Sequence, residues 1–293
     1  MASQPAPRPG RRRYRRPVGR PRDAAVAGAA CALLAWYNNL AGREDWHRRW
    51  YPAANVTAAA AALSAATAAG LTADDLGLSR DKLAAGLRLG AATAAPVAAA
   101  FALAPVTPAA RPLLHDKRVA GLSARQLAYQ VLLRIPFGTV FWEEIAFRGV
   151  LHAALRRVLT DPAAIAAESA MFGVWHIRPT AEALRANQLA TGPAARIAAV
   201  GVVVASTAAA GALLSVLRER SGSLAAPVLL HLTANCAGPL ASGVSTRLEG
   251  RAKREKIEAE DGNRESVRWK CIRSIRNRQI TTYLTVVKCE TAQ

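Results

Sequence analysis

The sequence is poor in cysteine, in aromatic residues and in acidic residues. Its four cysteines in 293 residues are too few for a disulfide scaffold, and aromatic residues make up only 5% of the chain. Asp and Glu number 20 against 39 Lys and Arg, so the formal charge is +19. Hydrophobic residues are not scarce: they make up 52% of the chain, which excludes a protein that is disordered throughout.

The basic charge is concentrated at the two ends of the chain. Residues 1–22 contain eight arginines, five prolines and no acid, and residues 247–293 contain twelve Lys and Arg against seven acids. The middle is rich in alanine and sparsely charged, which is typical of a membrane protein rather than of a nucleic-acid binder. We therefore predict a lipid bilayer and no nucleic acid as partner, with residues 1–22 forming a basic, disordered cytoplasmic arm.

The middle of the chain contains seven apolar segments of about the length that crosses a membrane. A bilayer core about 30 Å thick requires roughly 20 apolar residues of helix. We therefore predict an all-α, polytopic transmembrane bundle of about seven spans with a polar intramembrane site. Because mean hydropathy is only +0.10, an alanine-rich soluble helical bundle is the alternative. The predicted spans are 24–41, 52–70, 84–106, 126–142, 162–177, 194–217 and 222–243.

Three clusters of polar residues lie in or at the ends of these spans. An ionisable group inside a membrane costs about 2.5–3.5 kcal/mol on insertion scales and therefore marks a functional candidate. Glu144 and Arg148 are four residues apart and share a helix face, so they can neutralise each other and leave Glu143 without a counter-charge in its own helix. The clusters read Glu143-Glu144-x-x-x-Arg148, Phe172-x-x-x-His176 and His231-x-x-x-Asn235.

Together these clusters supply the groups of a hydrolytic site. A buried glutamate suits a general base, and a His–Asn pair can stabilise a developing oxyanion. Taken singly, each has a structural interpretation, either an interfacial ion pair or a hydrogen bond between helices. Glu168 either packs as a polar residue in its span or lines the same cavity. The histidines in or near charged loops are predicted to lie at the surface: His47, His115 and His152.

The three motifs, in this order and each at a membrane helix, resemble the CPBP family of intramembrane proteases. This family is also called the Abi or CAAX-protease family and includes the CAAX prenyl endopeptidase. The resemblance covers roughly residues 125–243 and implies that this region is the catalytic membrane domain. The predicted regions are then the arm at 1–22, N-terminal membrane helices at 23–120, the catalytic domain at 125–243, and a polar, charged extension at 245–293 that is soluble or poorly ordered.

The resemblance also assigns roles to the motif residues. It implies that Glu143 is the base that activates a water molecule, and that His176 helps to position that water. It implies that His231 and Asn235 form the oxyanion-stabilising pair. The supporting residues that shape or line the site are then Glu144, Arg148 and Phe172.

The cofactor is predicted to be either absent or a divalent metal such as zinc. Glu143, His176 and His231 would make a two-histidine, one-carboxylate zinc set with water in the fourth position. The sequence contains no His-Glu-x-x-His motif, so the common zinc-protease signature is missing. We favour the version without a metal.

The resemblance implies an intramembrane endopeptidase. From the apolar spans and the alanine- and arginine-rich composition we predict a multi-pass protein of the plasma membrane (the bacterial inner membrane). Its substrate would be a membrane-associated protein or peptide, of the CAAX type or another. The alternative is a non-catalytic membrane adaptor or bacteriocin-immunity-type protein on the same scaffold. A proton-relaying transporter is disfavoured, because its ionisable groups should follow a path across several spans instead of clustering at one level.

Overall fold

The chain folds as helices joined by short turns. The computed structural model describes residues 21–290, so most of the predicted basic arm lies outside the described residues. Within that range it contains no β-strand, which confirms the all-α prediction. The α-helices are α1 (Pro21–Asn39), α2 (Asp45–Arg49), α3 (Tyr51–Ala68), α4 (Leu83–Leu103), α5 (Lys117–Ala120), α6 (Ala124–Tyr129), α7 (Phe141–Glu143), α8 (His152–Leu155), α9 (Asp161–Trp175), α10 (Ile177–Asn187), α11 (Pro193–Ser221) and α12 (Ala225–Glu290).

Sequence signals mark several helix ends. α1 and α11 both begin at a proline, whose missing amide hydrogen costs nothing in the first helical turn. α6 begins with a capping box, in which Ser123 accepts from the amide of Gln126 and the Gln126 side chain accepts from the amide of Ser123. α11 ends at Ser221 and is followed by Gly222, where φ is +69°, a left-handed conformation that favours glycine.

Residues 124–155 form one helical stretch that is widened by three π-helical segments. These segments, π1 to π3, are Gln130–Arg134, Pro136–Val140 and Glu144–Leu151. Proline 136 has no amide hydrogen and so cannot make the ordinary helical hydrogen bond at its position. In the same segment, the carbonyl of Gly138 accepts a hydrogen bond of 2.6 Å from the buried side chain of Asn55 on α3. Such π segments occur often at functional sites.

Three helical segments are long and apolar enough to cross a membrane, as judged by length and composition within residues 21–290. They are Pro21–Arg43, Arg80–Val106 and Pro193–Ser221, and they correspond to three of the predicted spans. The predicted count of seven spans is not confirmed. Helices also occupy the other predicted spans, but α3 is made largely of alanine, which is only weakly hydrophobic, and α9 has only 15 residues.

The packing around the central helical stretch is close and mostly apolar. One core cluster joins α1, α3, α7, π3, α8 and α9 through residues that include Leu34, Trp142, Phe147 and Phe172. A second joins α11 to the first turns of α12 through Leu214, Leu217, Ala226 and Leu230, with Leu89 and Val97 of α4 packed against it. These clusters fix α9, α11 and the start of α12 around residues 143–155.

The chain divides into two compact units, the first ending at Ser242 and the second beginning at Gly243. The predicted polar extension at 245–293 falls within the second unit. Its described backbone, up to Glu290, is helical. Exposed ion pairs four residues apart, such as Arg251 with Glu255 at 2.8 Å, support this helix.

The contact between α9 and α11 depends on a glycine. A Cβ at Gly173 would lie 2.6 Å from the carbonyl oxygen of Val204 and 2.9 Å from Cβ of Ala208, so the two helices would have to separate. We predict that Gly173→Ala lowers the free energy of unfolding by about 1–3 kcal/mol, measured by unfolding in detergent.

The matched control for this prediction is Gly201→Ala on α11, where an added Cβ meets nothing within 4 Å. Because alanine favours helix, this variant should be neutral or more stable by about 0.5–1 kcal/mol. Equal effects of the two substitutions would contradict the close packing of α9 on α11.

Candidate active site

Glu143 lies at the end of α7 and is almost completely buried, at 6% exposure. One carboxylate oxygen, Oε1, accepts a hydrogen bond of 3.1 Å from the indole nitrogen of Trp175, the last residue of α9. The other oxygen, Oε2, has no hydrogen-bond donor among the described residues and lies 3.8 Å from Nε2 of His231. The carboxylate is therefore held at one oxygen while the other faces the histidine.

His231 and Asn235 lie one turn apart on α12 and are joined by a hydrogen bond. Nδ1 of His231 is 2.7 Å from Oε1 of Glu144, and Nε2 is 3.1 Å from Nδ2 of Asn235. An ionised carboxylate only accepts, so Nδ1 carries the hydrogen, and in a neutral ring Nε2 accepts from the amide of Asn235. Glu144 thus sets the tautomer of His231, and His231 in turn orients Asn235.

Arg148 connects the supporting residues behind these groups. It is fully buried, and its Nη1 donates to Oε1 of Glu144 at 3.1 Å, which confirms the predicted pairing on one helix face. Its Nε lies 3.0 Å from Oε1 of Glu168, and its guanidinium carbon lies 4.0 Å from the centre of the Phe172 ring. The buried cation therefore contacts two carboxylates and an aromatic face.

His176 does not join the other three predicted catalytic residues directly. Its Nδ1 donates to the carbonyl of Phe172 at 2.7 Å, and the two rings pack edge to face with centroids 4.6 Å apart. In the part of the chain that the structure describes, no hydrogen bond or ion pair joins His176 to Glu143, His231 or Asn235. The physical reason is that α9 ends at Trp175, so His176 bonds back to the final turn while Trp175 reaches Glu143.

The predicted metal ligands do not form a metal site in this arrangement. Among residues 21–290, no group of three His, Cys, Asp or Glu side chains is placed to hold an ion. Both ring nitrogens of His231 are engaged, one by Glu144 and the other by Asn235. The ring of Phe172 packs against that of His176 and has its centroid 6.1 Å from the ring of His231. The set Glu143, His176 and His231 therefore does not fit zinc.

Two surface predictions are wrong. His47 is buried because its ring packs edge-on against Tyr37 and Tyr51, and its Nε2 lies 3.1 Å from the hydroxyl of Tyr37. His152 is 1% exposed because both of its ring nitrogens face carboxylates. His115 is exposed, as predicted.

Sequence reasoning missed the role of Trp175 and left Glu168 open between two interpretations. The structure shows Glu168 fully buried, with Oε2 accepting from the hydroxyl of Ser215 at 2.8 Å and lying 2.9 Å from Nδ1 of His152. One signal for the cluster around Glu168 was present in the sequence. His152 follows Arg148 by four residues and so shares its helix face, which places two cationic side chains where a buried carboxylate could meet both.

One comparison with known proteins identifies the region that contains this site. Residues 125–237 match the family model described as type II CAAX prenyl endopeptidase Rce1-like. The matched segment contains all three polar motifs. Searches of curated proteins and of solved structures gave no match. The resemblance found in the motifs is confirmed over residues 125–237, which are similar to the Rce1-like type II CAAX prenyl endopeptidases.

Proposed function

We propose that the protein is an intramembrane endopeptidase in which Glu143 activates the water that cleaves a peptide bond. One observation carries this proposal. The buried Oε2 of Glu143, without a donor among the described residues, faces a preorganised His–Asn pair at 3.8 Å. A carboxylate held in this way can take a proton from a small molecule placed between it and the pair.

The proposed reaction begins with proton transfer to Glu143. Its Oε2 takes one proton from water while the remaining hydroxide forms a bond to the carbonyl carbon of the peptide. When the carbon–nitrogen bond breaks, the protonated Glu143 returns its proton to the leaving amine. Trp175 keeps the carboxylate in one orientation throughout, because its indole hydrogen is bonded to Oε1.

Asn235 and His231 are proposed to stabilise the oxyanion of the tetrahedral intermediate. The amide of Asn235 has two hydrogens, and one of them is directed at Nε2 of His231. The second can then point at the oxyanion. Donors fixed before the reaction stabilise developing charge without the cost of reorganisation.

The remaining motif residues are proposed to act around this centre. We assign Glu144 and Arg148 to positioning, because they hold Nδ1 of His231 in place through contacts of 2.7 and 3.1 Å. His176 keeps its proposed role in positioning the water through Nε2, since its Nδ1 is bonded to Phe172. Phe172 separates the buried guanidinium of Arg148 from the His176 ring and so lines the site.

The proposed substrate is a membrane-associated protein or peptide, with a prenylated CAAX terminus as the first candidate because the matched family is named for it. Three segments long and apolar enough to span support a membrane location, and we propose the bacterial inner membrane. A non-catalytic adaptor on the same scaffold is the competing function, and it requires no base at residue 143.

The first prediction from the proposed function tests the base. Glu143→Gln keeps the shape and the acceptor for Trp175 but removes the proton-accepting charge. We expect turnover of a fluorogenic peptide with a prenylated CAAX terminus to fall by about 10²–10⁴-fold in purified protein.

Glu182→Gln, at an exposed carboxylate on α10, is the matched control and should keep wild-type turnover. Turnover that survives in Glu143→Gln would remove the role assigned to this residue. A membrane phenotype that survives in Glu143→Gln while cleavage is lost would favour the adaptor.

The second prediction concerns metal dependence. Because the proposed donor set does not fit zinc, we expect a strong chelator to leave turnover of the same peptide unchanged within about twofold. The measurement is the initial rate before and after dialysis against chelator. Loss of activity that added zinc restores would show that a metal takes part after all.

A further inference from the structure

A second polar cluster lies behind the active site and ends at a buried histidine that the reaction does not use. Glu144, Arg148 and His152 follow one another at four-residue intervals along π3 and the start of α8. All three are at most 1% exposed. Glu168 of α9 connects the last two, since its Oε1 lies 3.0 Å from Nε of Arg148 and its Oε2 lies 2.9 Å from Nδ1 of His152.

His152 is placed between two carboxylates. Its Nδ1 faces Glu168, and its Nε2 lies 2.8 Å from Oε1 of Glu219 on α11. A neutral imidazole has only one N–H, so one of these contacts would set two lone pairs against each other. An imidazolium donates to both carboxylates, and with Arg148 it also balances the buried charges of Glu144 and Glu168.

Further charged groups surround the two carboxylates that contact His152. On the side of Glu219, the guanidinium of Arg156 donates to Oε1 at 2.5 Å and also bonds Asp161 at 3.0 Å. The backbone carbonyls of residues 74 and 75 accept from Arg218, the neighbour of Glu219. Among the described residues, the charged groups of this network include Arg148, Arg156, Glu168, Arg218 and Glu219. Ion pairs also join Arg156 to Asp161 and Arg157 to Asp23 and Asp75, and Asp74 and Asp75 interact electrostatically with Arg218.

We propose that His152 is a positioning residue whose imidazolium holds Glu168 against Arg148, and thereby holds Glu144 against His231. Every step of this chain is a buried contact of 3.1 Å or less. The catalytic consequence rests on the proposed function, but the coupling itself does not. This coupling predicts that a change in the protonation of His152 changes the environment of the His231 ring.

The direction of the pH dependence follows from the same contacts. Burial opposes the charge of His152, but the hydrogen bonds to Glu168 and Glu219 outweigh it and raise the pKa of His152, which lies outside the three candidate spans. A raised pKa means that the complete arrangement exists at lower pH and is lost as pH rises through the pKa of the folded state. Activity should therefore have an alkaline limb set by His152.

The experiment is a titration of the histidine side chains by nitrogen NMR on the full chain in lipid nanodiscs. The chain has only five histidines, so each can be assigned from a His→Gln variant. We expect His152 to lose its second proton at a higher pH than an ordinary histidine, and the ring nitrogens of His231 to shift in the same step. A neutral His152 near pH 6, or a His231 signal that does not move in that step, would overturn the inference.

Glu219→Gln gives a second test that keeps His152 intact. The side chain of Glu219 is 23% exposed, so the amide of the glutamine would not be placed in a fully buried position. Losing one of the two carboxylates should move the midpoint of His152, and the linked shift of His231, about one pH unit lower. An unchanged midpoint would overturn the proposal, and His115→Gln, at an exposed histidine, is the control that should leave both midpoints in place.

Kinetics separate this inference from the proposed function. With the prenylated peptide, His152→Gln should lose the alkaline limb, whereas a merely structural role would lower the rate and leave the limb in place. If His152 and His231 shift together in the NMR titration but the peptide is not cleaved, only the proposed protease function is contradicted. Cleavage without coupling contradicts the positioning role of His152 alone.

Discussion

The buried guanidinium of Arg148 is the interaction on which the rest of the site depends. It is fully enclosed, so its charge must be compensated, and Glu144 and Glu168 supply two carboxylates at 3.1 and 3.0 Å. Removing one partner of a buried ion pair typically costs about 3–5 kcal/mol, because the other charge is left uncompensated. This requirement ties the central helical stretch to α9, and through Glu144 and His231 it also ties that stretch to α12.

The same contacts explain why two adjacent glutamates serve different purposes. Glu144 has a structural role, because its Oε1 contacts both Arg148 and His231. Glu143 is turned to another side of the helix, where a single indole donor leaves Oε2 facing His231. In the proposed mechanism, one carboxylate fixes a tautomer while its neighbour accepts the proton of the water.

Spacing in the sequence was enough to predict the all-helical class, the Glu144–Arg148 pair and the family resemblance of residues 125–237, because each depends on helical periodicity or on a local motif. The span count was less predictable, since alanine-rich helices such as α3 can lie in protein or in lipid. The end of α9 was not predictable either, and it decides that Trp175 and not His176 contacts Glu143. The burial of His152 depends on Glu219, 67 residues away, which no local pattern reveals.

The most direct measurement of this account is the turnover of Arg148→Lys. A lysine ammonium cannot span Glu144 and Glu168 as the guanidinium does, so His231 and Asn235 should lose their alignment. The account predicts a folded protein with unchanged helix content whose cleavage of the prenylated peptide falls about 100-fold, while Arg251→Lys, at an exposed arginine, keeps its rate. Wild-type turnover in folded Arg148→Lys would contradict the claim that this buried cation organises the active site.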